Sequence, residues 1–92
     1  MKLYVFNSNG YGDIWFVCAE SREAAIEACR NRIKKDYDKD VAKDFELAND
    51  HRSYQEKHLE ACVAGARPYK GADHKCSIDE VEPGEVVFSE VS

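Results

Sequence analysis

Four side chains in the second half of the chain are of the types that ligate metals or act as nucleophiles: His58, Cys62, His74 and Cys76. His58 and Cys62 are four residues apart, a spacing that puts both on one face of a helix. His74 and Cys76 follow eleven or more residues later, across a loop. Two imidazoles and two thiolates are a sufficient set for tetrahedral zinc. A small zinc-stabilised module is therefore one reading of the chain. The spacing argues against it, because zinc sites draw two cysteines from one tight Cys-x-x-Cys knuckle and His-x-Cys is an unusual pair. The plainer expectation is a core Cys62, two solvated histidines, and no bound metal or cofactor.

A thiol beside an imidazole is also the minimum for a cysteine nucleophile. The other two cysteines do not fit that role. Cys18 falls in an apolar strand and Cys29 on an apolar helix stripe, where thiols are inert. Gly-x-Ser-x-Gly and Gly-x-x-x-x-Gly-Lys are both missing from the sequence. Asn9-Gly10-Tyr11-Gly12 has two glycines between two strands, so it reads as a turn and not as a dinucleotide loop. A pocket fit for a reaction is hard to build in a core this small. The expectation is a protein that is not an enzyme.

The elements that position these residues can be read from the 92-residue chain, which is one domain, 1–92. Leu3 to Phe6 and Ile14 to Ala19 are apolar runs without strict alternation, the mark of strands covered on both faces. They flank the polar turn 7–13 and read as a hairpin. Covering both faces calls on the helices, on the loop from Arg67 to Lys75, or on a second copy of the chain. No Gly or Pro occurs from Asp13 to Ala64, so that stretch is a strand followed by helices. Ser21 is a good N-cap, with Glu23 in the first turn. Ile26, Cys29, Ile33 and Tyr37 form one stripe, which Val41, Phe45 and Ala48 extend. The charged run from Lys34 to Asp40 favours a break, with Asp38 or Asp40 as a new N-cap. Asn49 to Arg52 reads as a turn, and Ser53-Tyr54-Gln55-Glu56 as a capping box opening a further helix. That helix carries Leu59, Cys62, Val63 and Ala66 and stops at Gly65. Cys76 to Val81 and Glu85 to Val91 read as two strands about a type II turn at Pro83-Gly84. The expected fold is α+β in two layers. A three- to four-stranded antiparallel sheet comes from the N-terminal and C-terminal hairpins, with two or three helices between them in sequence.

Charge is unevenly spread. The formal net charge is −5. From Arg30 to Glu60 eight basic residues balance eight acidic ones, which reads as a solvated helix surface laced with ion pairs. Arg30, Lys34, Lys35 and Lys39 are the candidates there for direct nucleic-acid contact. Residues 77–92 hold Asp79, Glu80, Glu82, Glu85 and Glu90 and no Lys or Arg. Such a balance argues against generic duplex binding, which needs a basic footprint. It suits docking on a basic protein surface, although charge on an edge strand also protects against aggregation. The longest apolar run, residues 14–19, is six residues, far too short to span a membrane. Met1-Lys2 leads into a strand and not into a signal-peptide core, so the expected setting is the reducing cytosol.

Three segments resemble small phage and prophage proteins: Lys2 to Asn7, Gly10 to Val17, and Ala19 to Ile26, with Glu82-Pro83-Gly84-Glu85-Val86-Val87 of the same character. Anti-CRISPR inhibitors belong to that group. The resemblance implies a phage-encoded inhibitor in the host bacterial cytoplasm. Such a protein binds a Cas protein or surveillance complex and sterically blocks its nucleic acid. Acidic and aromatic groups would then carry the contact: Asp79, Glu80, Glu82 and Glu85, with Tyr11 and Asp13 in the first turn. A homodimeric interaction protein, its apolar sheet face forming its own interface, is the other alternative.

Overall fold

The computed structural model of the protein describes residues 1–7, 14–67 and 69–82. In chain order the elements are β1 (Lys2–Asn7), β2 (Trp15–Ala19), α1 (Arg22–Asp40), α2 (Phe45–Ala64) and β3 (Ser77–Val81). The fold is α+β. β1 is the central strand of an antiparallel sheet ordered β2-β1-β3. The predicted strand over Glu85 to Val91 and its Pro83-Gly84 turn lie outside the described residues. So do Tyr11, Asp13 and Glu85.

Register divides the sheet into two faces. Tyr4 pairs with Val17 and Glu80, and Phe6 with Trp15 and Ile78. Cross-strand partners share a face, so these rows carry the face under the helices. Tyr4 and Phe6 are buried there with Ala25, Ile26, Cys29 and Ile33 of α1, and with Leu59 and Cys62 of α2. Trp15, Val17 and Ile78 pack at the margin of this core. The opposite face carries Leu3, Cys18 and Val81 in one row, and Phe16, Val5 and Asp79 in the next. The two-faced burial expected of the opening hairpin holds for β1, where Tyr4, Val5 and Phe6 are all buried. It fails for β2, which starts at Trp15 and alternates, with Phe16 and Cys18 exposed. The reason is position: β1 has a strand on each side, whereas β2 has only one strand neighbour among the described residues.

The helical region differs from expectation in where it breaks. α1 begins as expected at the Ser21 cap, whose hydroxyl accepts the Ala24 N–H at 3.1 Å. It runs through the charged segment without a break at Asp38 and ends at Asp40. The new N-cap is Asp44, whose carboxylate accepts the Leu47 N–H at 3.0 Å. The apolar stripe therefore does not cross the break, and Phe45 is exposed. The predicted turn at 49–52 and the capping box at Ser53 both lie inside α2. Tertiary contact overrides these local signals. Arg52 lies over the Tyr37 ring, 4.1 Å from its centroid, and Ala48 is buried one turn before it. The Arg52–Tyr37 contact holds the first half of α2 against α1, so there are two helices between the strands and not three.

α2 ends where glycine allows it. Gly65 has φ of 63°, a left-handed backbone that costs other residues about 1 kcal/mol or more. The Gly65 and Ala66 N–H groups return to the carbonyls of Cys62 and Ala61, which closes the helix end. Arg22 of α1 donates to the Val63 carbonyl at 3.1 Å, placing a cation on the negative end of the α2 dipole.

Candidate functional site

The structure separates the four metal-type side chains. Cys62 and Cys76 come together in the core, 2% and 1% exposed. His74 sits on the exposed loop before β3. His58 is not solvated as expected: it is 1% exposed, and its ring stacks on Trp15 at 4.2 Å between centroids, with planes 26° apart. Among the described residues no group of three His, Cys, Asp or Glu side chains is placed to hold a metal ion. The sequence signal for a core histidine is the spacing, since His58 lies four residues before Cys62 and beside Leu59 in one helical stretch.

Burial holds the core thiols protonated. It pushes Cys29 up to about 11. Cys62 is pushed up to about 12, by burial first and then by neighbouring Cys76. Cys76 is also raised, through desolvation. A thiol this protonated at neutral pH is a poor nucleophile. Cys18, expected inside a strand core, is instead exposed on the face opposite α1 and α2.

The acidic residues of β3 do not form one patch. Asp79 and Glu80 are consecutive on a strand and so point to opposite faces. Glu80 accepts an ion pair from Lys2 at 2.8 Å, and this contact raises the Lys2 ammonium above its ordinary value. Asp79 faces away from the helices and accepts the Ser77 hydroxyl at 3.2 Å. Glu82 is exposed just beyond the strand. The four basic candidates are similarly dispersed. Arg30 and Lys39, nine residues apart, project about half a turn from each other around α1. Arg30 pairs with Glu27 at 3.8 Å. Arg30 and Lys34 line a groove of about 620 Å³ between α1 and α2, which also holds Asp38, Glu56 and Glu60. Its charge is mixed, not the single sign a phosphate backbone selects.

Sequence reasoning missed Phe16. The residue is 65% exposed, on a strand with one strand neighbour among the described residues. It shares the face opposite α1 and α2 with Asp79, one on each side of Val5. Two strand spacings put their backbones about 10 Å apart. An aromatic ring and a carboxylate thus stand in one cross-strand row. That pair suits contact with cations: the ring takes a guanidinium on its face and the carboxylate takes a charge-assisted hydrogen bond.

The chain matches no protein-family model, no curated protein and no solved structure. No described helix is long and apolar enough to cross a membrane.

Proposed function

We propose that the protein is a small binding protein that docks the sheet face opposite α1 and α2 on a basic protein groove. The observation that supports this reading most is the row Phe16–Val5–Asp79, which ends in an exposed ring and an exposed carboxylate. A net charge of −5 favours approach to a basic surface from a distance. The groove in question is one that normally holds nucleic acid, and binding excludes that nucleic acid by occupying its place. The resemblance to phage inhibitors makes a bacterial CRISPR–Cas complex the leading target. Burial of the core thiols and the scatter of the remaining polar groups favour binding over catalysis.

Capture from a bacterial lysate on the immobilised protein, followed by an interference assay with the captured complex, tests the reading. Phe16→Ala with Asp79→Lys is expected to abolish both capture and inhibition. Asp79→Lys with Glu80→Lys, Glu82→Lys and Glu85→Lys tests the acidic end as a whole. Inhibition that survives both variants would sink the proposal.

A second reading draws on β2, a five-residue strand with no charged side chain and one strand neighbour among the described residues. Natural edges usually carry such protection, and a second copy of the chain pairing there is the homodimer alternative. Light scattering decides it, because a monomer at micromolar concentration removes the dimer.

A further inference from the structure

We propose that Cys62 and Cys76 are an oxidisable pair that closes to an intramolecular disulfide when β3 opens. Their placement is specific. Cys62 lies in the last turn of α2, and its thiol donates to the Asn7 carbonyl at 3.7 Å. Asn7 is the Cα partner of Ser77, the residue after Cys76. The Cys76 N–H donates to the Ala66 carbonyl at 2.8 Å, which brings the chain back to the end of α2 just where Cys62 sits. Both cysteines belong to the same buried cluster.

The closed fold protects this pair. Neither thiol is open to solvent, and a protonated thiol does not attack a disulfide. Access comes from local opening. Among the described residues β3 has one strand neighbour, β1, and residues 73–75 before it are exposed. A strand that follows an exposed loop opens at lower cost than the central strand of the sheet. Cys76 leaves the core with β3, while Cys62 stays on the helix.

The oxidant is a small disulfide such as oxidised glutathione. The Cys76 thiolate, having lost its proton to solvent, attacks one glutathione sulfur; a mixed disulfide forms and glutathione thiolate leaves. Cys62, uncovered when β3 leaves, loses its proton to solvent; its thiolate attacks the Cys76 sulfur of that mixed disulfide and displaces the second glutathione as thiolate. Two protein thiols are oxidised by two electrons and one oxidised glutathione is reduced to two glutathiones. The new bond spans the loop 63–75 and ties β3 to α2.

The test uses the full chain with Cys18→Ser, since exposed Cys18 reacts first. The protein is exposed to oxidised glutathione with and without low urea. The expected product has lost two hydrogen atoms, and digestion links the Cys62 peptide to the Cys76 peptide. It forms faster in urea, reverts with dithiothreitol, and shows a thermal midpoint raised by roughly 10 °C. Adding Cys76→Ala to this chain abolishes the product; should that variant not fold, the peptide map of the Cys18→Ser chain decides alone. A link to Cys29, arrest at the mixed disulfide, or two thiols still alkylated in full after denaturation would overturn the proposal.

Discussion

Phe6 and Phe16 are the same residue type on opposite faces of one sheet, and the fold assigns them opposite costs. Phe6 is 0% exposed and lies against Trp15, ring centroids 6.4 Å apart. Phe6→Ala removes a buried ring and leaves a cavity, a loss of about 3–5 kcal/mol. A domain of this size has about 5–14 kcal/mol in total, so the variant is close to the unfolding threshold. Phe16 withdraws only about a third of its surface from water. A fully buried Phe contributes at most about 3 kcal/mol, so Phe16→Thr costs about 1 kcal/mol, and Thr keeps the strand preference. Urea unfolding followed by far-ultraviolet circular dichroism and Trp15 fluorescence separates the two. With a slope near 1.5 kcal/mol per molar, Phe6→Ala lowers the midpoint by about 2 M or unfolds the chain, and Phe16→Thr lowers it by under about 1 M. Equal costs, or a larger one for Phe16→Thr, would refute the register, because a slip of one residue exchanges the two faces of the sheet.

Two further predictions concern helix ends and pH. Asp44→Ala removes the α2 cap and costs about 1 kcal/mol, whereas Ser53→Ala, inside the helix and exposed, is neutral or stabilising by up to about 0.5 kcal/mol; urea midpoints in the reverse order would restore the capping box as the true helix start. Stability falls as pH rises from about 9 towards 12. An unfolded thiol ionises near 9.0, while Cys29 and Cys62 hold their protons to about 11 and about 12 in the folded chain. The folded state thus keeps protons that the unfolded state has lost, with full stability below pH 9 and a loss of up to about 1.4 kcal/mol per pH unit for each thiol above it. Chemical denaturation across this range checks the slope; Cys29→Ala and Cys62→Ala each flatten it, and identical slopes in all three chains would contradict the burial of these thiols.

How much of the protein was legible in the sequence depends on the range of the interactions involved. Ser21 and Gly65 were readable as helix ends because cap chemistry acts within three or four residues. The stripe Ile26, Cys29 and Ile33 was readable because helical periodicity is local. The antiparallel sheet under helices followed from element order and from the turn residues between the first two strands. Ser53 misled for the same reason that Ser21 did not: its local signal is real, but the Arg52–Tyr37 contact extends the helix through it. No neighbour along the chain announces that contact.

The sequence by itself determined the order of strands and helical region over the described residues, that the fold is α+β, and that the chain's acidity gathers at its end. Tertiary structure alone decided which side of each strand is used. Pairing β1 between β2 and β3 made one apolar strand central and left the other with one strand neighbour among the described residues, so Phe6 became core and Phe16 became surface. The same pairing sent Asp79 and Glu80 to opposite faces and left Glu80 with Lys2. It also carried Cys76 back to Cys62 and moved His58 under Trp15, while His74 stayed outside. A residue's type and spacing specify what chemistry it can do. Its partners are set by long-range pairing and packing, whose free energy is shared over the whole core and written at no single position.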